Sequence, residues 1–116
     1  MTFAFPKEQR LRQRDTLAAL PAKGKVLFKY PFKAYVLLGG ASVSRYAVAV
    51  PKKSFKRAVK RNLLKRRTRE ALRLNQTECL GSFCGDYLFV YIAKDICEYS
   101  AIEAAVCDIL SKSKAL

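Results

Sequence analysis

Apolar and polar positions alternate through residues 29–38, KYPFKAYVLL, placing Tyr30, Phe32, Ala34, Val36 and Leu38 on one face and Tyr35 on the other. A period of two predicts a half-buried strand. Pro31 puts its start at a sheet edge, because proline donates no ladder hydrogen bond. Gly39-Gly40 makes the turn into a second strand, Arg45–Val50, with Tyr46, Val48 and Val50 on one side and Pro51 ending it. Residues 86–93, DYLFVYIA, form the most continuous apolar run and predict a central strand.

Three segments carry a helical pattern instead. A short helix is expected over Asp15–Leu20, with Asp15 at its start, Leu17, Ala18 and Leu20 as its apolar contacts, and Pro21 and Gly24 stopping it. Residues 54–74 contain no Gly or Pro and are rich in Ala, Leu, Lys and Arg, so they predict a long helix capped by Ser54. Residues 75–85 read as a loop. Ser100 and Glu103 match a capping box that opens a last helix, whose apolar face is Ile102, Ala105, Val106, Ile109 and Leu110. The expected order is α-β-β-α-β-α, an α+β chain folded as a two-layer α-β sandwich, with residues 1–116 as one domain.

Charge changes this picture most in the central helix. Residues 52–73 hold eleven Lys or Arg against the single acidic Glu70, a net of +10 out of +14 for the chain. Solubility alone is usually served by mixed signs, so charge this one-sided points to a polyanion, most commonly a nucleic-acid backbone. On a helix of 3.6 residues per turn, Arg61, Lys65 and Arg69 fall in one row. Asn62, Arg66 and Arg73 flank it. Val59, Leu63 and Leu74 lie beside that arc and are expected to face the sheet. Lys56, Lys60 and Arg67 intrude on the apolar side, where their stems can pack while the heads reach outward. Like charges four residues apart repel, and a bound polyanion would relieve the repulsion along the row. Arg offers paired contacts to phosphate and Lys a point charge. Asn62 can read a base edge or a 2′-hydroxyl, or equally bond the neighbouring loop.

Other chemistries find little support. The chain has no histidine, its nine carboxylates are scattered, and no Gly-rich phosphate loop or G-x-S-x-G motif occurs. Cys79, Cys84, Cys97 and Cys107 are 5, 13 and 10 residues apart, without a C-x-x-C pair, so a metal site is not expected and the thiols read as free and mostly buried. Without a signal-peptide pattern or an apolar run of membrane-spanning length, the expectation is a cytoplasmic protein with no membrane partner.

The run Ala58 to Glu70, AVKRNLLKRRTRE, resembles the signature of the bacterial ribonuclease P protein subunit, A-V-x-R-N-x-x-K-R-x-x-R-E, at every fixed position. Arg10-Leu11, Gly24-Lys25, Val50-Pro51-Lys52-Lys53 and the strand opening at Gly85-Asp86-Tyr87 are similar to further family elements, in order along nearly the whole chain. The resemblance implies an α-β sandwich with a left-handed βαβ crossover. It also implies a catalytic RNA partner that uses magnesium to remove the 5′ leader of precursor tRNA, so that magnesium enters through the RNA and no catalytic residue lies in the protein. By motif, Arg61, Asn62, Lys65, Arg66 and Arg69 should face that RNA. With the flanking cations, the expected RNA-binding set is Lys52, Lys53, Lys56, Arg57, Lys60, Arg61, Asn62, Lys65, Arg66, Arg69 and Arg73. A groove between the first helix and the sheet should hold the leader, with Arg10, Arg12, Leu17, Phe32 and Tyr35 as its candidates. Tyr35 matches a family strand tyrosine. Leu17 and Pro21 stand where family members often carry two phenylalanines, so leader contact here relies more on apolar packing and charge than on stacking. We expect a monomer bound one-to-one to the RNA. The alternatives are a structural RNA-binding protein, such as a small ribosomal protein, and a protein nuclease, which would need the carboxylate cluster or histidine that this sequence lacks.

Overall fold

The computed structural model describes residues 24–37, 44–80 and 85–114. Six elements follow one another: β1 (Lys25–Lys29), β2 (Phe32–Leu37), β3 (Arg45–Ala49), α1 (Ala58–Leu80), β4 (Asp86–Tyr91) and α2 (Tyr99–Ser113). The strands form one sheet in the order β1-β2-β4-β3. β1 and β4 run antiparallel to β2, and β3 runs parallel to β4. β3-α1-β4 is therefore a βαβ unit inside an α+β sandwich, and β4 is internal, as its apolar run requires. The helix expected at residues 15–20 and the turn at Gly39-Gly40 lie outside the described residues.

One expected strand is two. Residues 29–38 do not run straight: the chain turns at Tyr30-Pro31, a cis peptide, and β1 pairs back on β2 with Val26 opposite Tyr35 and Phe28 opposite Lys33. β1 escapes the pattern because it is an edge strand whose residues are mostly exposed, so burial imposes no clean alternation on it.

The core lies between one face of the sheet and the two helices. Phe32, Ala34 and Val36 of β2 and Tyr87, Phe89 and Tyr91 of β4 point into it, all with no solvent exposure. The rings of Phe32 and Phe89 meet edge-on at 5.7 Å, and Tyr46 stacks on Tyr87 at 5.3 Å. From α2 come Ile102, Ala105, Val106, Ile109 and Leu110, all buried as their spacing predicts. Buried hydroxyls find partners: Tyr87 shares a 2.7 Å hydrogen bond with Ser113 Oγ, and Tyr46 donates to Gln76 at 3.0 Å. At the start of the parallel pair, Arg45 donates two hydrogen bonds to Asp86, of 2.8 and 2.7 Å, across the β3–β4 ladder. Asp86 is nearly fully buried, and such a charge is tolerated because its paired geometry replaces lost hydration.

Three local expectations are corrected. The face that α1 buries is Leu64, Thr68, Ala71 and Leu72, whereas Val59 is 79% exposed, Leu74 is 53% exposed and Leu63 is half-buried. Thr68 can sit in the core because its hydroxyl donates to the Leu64 carbonyl at 2.8 Å. Secondly, α1 begins at Ala58 rather than Ser54, and it runs on to Leu80 through the segment expected to be a loop. Packing against α2 sustains the extra turns: Asn75 Nδ2 donates to the Ala71 carbonyl at 2.8 Å and to Glu103 at 3.0 Å. Finally, no capping box forms. α2 starts at Tyr99 with Glu98 at the cap position and no side-chain cap bond. Glu103 is engaged elsewhere, accepting from Tyr99 Oη and Asn75.

Replacing Leu64 by Ala should lower stability by about 2–5 kcal/mol, while Val59→Ala should change it by less than about 0.5 kcal/mol; urea unfolding of the two variants measures both. Two tyrosines add a pH dependence. Burial first, then a hydrogen bond to Glu103, pushes Tyr99 up to about 12, and burial raises Tyr91 as well. The unfolded chain ionises these phenols near their ordinary value of about 10. Stability should therefore be complete below about pH 10 and fall as pH rises toward 12, and Tyr91→Phe with Tyr99→Phe should flatten the decline in urea midpoint.

Candidate nucleic-acid interface

The basic segment is positioned by a turn anchored in the core. After β3 the chain folds at Pro51, whose carbonyl accepts from the N–H groups of Ser54 and Phe55, both at 3.2 Å. The Phe55 ring inserts among core residues and meets Tyr91 at 5.7 Å. Arg61 reaches back from the first turns of α1, and its Nη1 donates to the carbonyls of Phe55 at 2.7 Å and Lys56 at 2.9 Å. These bonds hold residues 54–57 in a turn and keep Ser54 from the cap position. Arg61 is thus a structural clamp, apart from the outward-facing cations.

From Ala58 onward, the buried face fixes how α1 is rotated. Asn62, Arg66 and Arg69 emerge on the side away from the core and are exposed, with Lys65 half-buried at the flank. Val59 is exposed on the same side, a contact candidate that sequence reasoning had turned inward. Arg73, also on this side, is bonded to Glu70 and its charge is partly neutralised there. That bond holds the Arg73 guanidinium even more firmly protonated than usual. Arg67 leaves the ridge altogether: its Nη1 donates to the Cys97 carbonyl at 2.8 Å, tying α1 to the segment before α2. Its head, expected to reach outward, is instead bonded within the fold, while Lys56 and Lys60, expected on the apolar side, are exposed.

Lys56, Arg57 and Lys60 gather at the beginning of α1 around a cleft of about 410 Å³ floored by Phe55, and Lys94 closes it from the loop after β4. Asp95 is the carboxylate in that lining. Lys94 is a cation that sequence reasoning missed, because it is 34 residues from Lys60 and no local pattern joins them. Lys52 and Lys53 are exposed on the preceding turn. The ten expected cations and Asn62 therefore do not form one row. Lys65, Arg66 and Arg69 lie with Asn62 on the outer ridge, Lys56, Arg57 and Lys60 at the cleft, Lys52 and Lys53 on the turn before it, and Arg61 and Arg73 are bonded to the Phe55 and Lys56 carbonyls and to Glu70.

The expected groove residues separate further. Phe32 has no solvent exposure and points into the core, so it cannot line a groove; strand alternation placed it on the buried side. Tyr35 lies on the opposite face, half-exposed, with Lys33 Nζ 5.3 Å from its ring centre. Beside it on β1 stand Phe28, 62% exposed, and Val26, 51% exposed. These two aromatic and aliphatic candidates went unread because β1 was not recognised as a strand. Arg10, Arg12 and Leu17 lie outside the described residues. Tyr35 and the α1 ridge thus sit on opposite layers of the sandwich.

Among the described residues, no group of three or more Cys, Asp or Glu is placed to hold a metal ion, and no helix is long and apolar enough to cross a membrane. As a local check, Arg61→Ala should lower stability by about 1 kcal/mol through loss of its two carbonyl contacts, whereas Arg66→Ala should leave the urea midpoint unchanged.

The family model described as Ribonuclease P matches residues 5–113. A "Ribonuclease P protein component" of Porphyromonas gingivalis is 44% identical over 78 residues, covering 65% of this chain and 57% of that protein. One from Ralstonia pickettii is 41% identical over 73 residues, covering 63% and 52%. The matches thus span little more than half the length of these relatives. The solved RNase P protein of Thermotoga maritima superposes with a TM-score of 0.77 at 24% identity, covering 89% of this chain and 96% of that one. The Staphylococcus aureus RNase P protein gives 0.77 at 22% identity, covering 91% and 95%. Fold, motif helix and family match converge, and the chain belongs to the ribonuclease P protein family.

Proposed function

We propose that this chain is the protein component of a ribonuclease P holoenzyme, binding the catalytic RNA through α1 and the 5′ leader of precursor tRNA through the sheet face that carries Tyr35. The observation that supports the first half is the rotation of α1, which turns Asn62, Arg66 and Arg69 outward together while its buried face is fully engaged. Arg66 and Arg69, with Lys65, would neutralise phosphates, and Asn62 would hydrogen-bond a base edge or 2′-hydroxyl. The second half is supported by Tyr35, Phe28 and Lys33 on the other layer, where a single strand would find rings to stack on and a cation for its backbone.

In this reading, cleavage belongs to the RNA. Magnesium held by that RNA supplies the chemistry, and the protein reduces repulsion between two polyanions so that they associate at lower ion concentration. Purified protein alone should cut nothing. With catalytic RNA at low magnesium, adding the chain should restore processing of precursor tRNA, and no gain in rate would overturn the proposal. Affinity should also rise when the substrate carries a leader. Equal affinity with and without one would favour a structural RNA-binding role.

Salt dependence tests the ridge. Replacing Arg66 and Arg69 together by Ala should flatten the slope of log K against log salt by about 1.5, the worth of two phosphate contacts. Asn62→Ala should weaken binding with the slope unchanged. Both are read by titrating the catalytic RNA at several salt concentrations.

A further inference from the structure

Four cysteines are present in the sequence, and the proposed RNA contacts use none of them. Two are brought together by the helix pairing. α1 and α2 run parallel, and the contacts advance in the same direction along both: Arg67 meets the carbonyl of Cys97, just before α2, and Asn75 meets Glu103. Four residues beyond Asn75 is Cys79, and four beyond Glu103 is Cys107. Each step is about one helical turn, on two helices moving in the same direction, so the two side chains arrive at the same level of the same seam. Cys79 is a side-chain neighbour of the Cys107 thiol, and both residues are half-buried.

We infer that Cys79 and Cys107 are an oxidative modification site, a thiol pair that closes into a disulfide joining α1 to α2. Cys97 is no competitor for Cys79. Its backbone lies at the level of Arg67, about 18 Å along α1 from Cys79 at 1.5 Å per residue.

The chemistry needs an oxidant, and a low-molecular-weight disulfide such as oxidised glutathione suffices. Burial, followed by the contact with Cys79, pushes the Cys107 thiol up to about 11, so it stays protonated near neutral pH and Cys79 attacks first. The Cys79 sulfur bonds to one glutathione sulfur, the glutathione disulfide breaks, and one glutathione leaves as thiolate. That thiolate takes the Cys107 proton. The Cys107 sulfur then attacks the Cys79 sulfur and expels the second glutathione, which takes up the proton that Cys79 released to solvent in the first step. Two protein thiols and one disulfide become one protein disulfide and two glutathione thiols. The link would staple the late turns of α1, the part that the sequence alone assigned to a loop. The exposed ridge residues Asn62, Arg66 and Arg69 are ten or more residues away, and their surface would remain uncovered.

The full-length chain carrying Cys84→Ser tests this, since digestion with trypsin and a glutamate-specific protease then leaves one cysteine per peptide. After equilibration of folded protein with oxidised glutathione, residues 79–94 should be found joined to residues 104–112. The melting temperature should rise by about 5 °C or more and return on reduction by dithiothreitol. The wild-type chain should show the same link, which keeps the test independent of how the Cys84 variant folds. Adding Cys107→Ser should leave a glutathione adduct on Cys79 and no rise in melting temperature. Separate adducts on Cys79 and Cys107 without a link, or a link to residues 95–98 instead, would overturn the inference.

Discussion

Everything that α1 can present to a partner depends on the narrow strip it buries. Leu64, Thr68, Ala71 and Leu72 engage the core, and the buried hydroxyl of Thr68 is satisfied by the carbonyl one turn back. Losing that strip would cost apolar burial that mutual repulsion among exposed cations cannot offset, since each like-charged pair is worth only tenths of a kcal/mol. The helix is therefore held in one rotation against its own electrostatics. Asn62, Arg66 and Arg69 face outward as a consequence of packing, before any polyanion binds.

Arginine plays two roles in this short segment. Arg61 and Arg67 spend donors on backbone carbonyls, one at the entry to α1 and the other at the approach to α2, and Arg73 is held by Glu70. The guanidinium suits this work because its fork can hold more than one acceptor while its charge persists. A count of charge overstates the free basic surface for the same reason: part of the +10 in residues 52–73 holds the fold together. The sheet then separates two surfaces by a full layer, the ridge of α1 on one side and Tyr35 with Lys33 and Phe28 on the other. That separation would suit a protein bridging two nucleic-acid segments.

The sequence misled at identifiable points. Val59, Leu63 and Leu74 are apolar but not buried, and Thr68 is polar but buried, so a hydropathy wheel misplaces the edges of the face that α1 buries. Phe32 and Tyr35 were grouped as groove candidates because both are aromatic, although odd and even strand positions face opposite sides. β1 was invisible because an exposed edge strand is under little pressure to alternate. The end of α1 was lost because Asn75 and its neighbours resemble a loop until Glu103 is placed beside them.

The sequence by itself determined the layer architecture, the central place of β4, the buried face of α2 and the family to which the motif helix belongs. These follow from period, composition and spacing, which act along the chain. Only the tertiary structure decided which cations are exposed, where α1 starts and stops, that Lys94 joins Lys56, Arg57 and Lys60, and that Cys79 meets Cys107. Apart from the start of α1, which nearby hydrogen bonds set, these depend on residues distant in sequence brought together by packing and hydrogen-bond satisfaction, and no local pattern encodes the partner.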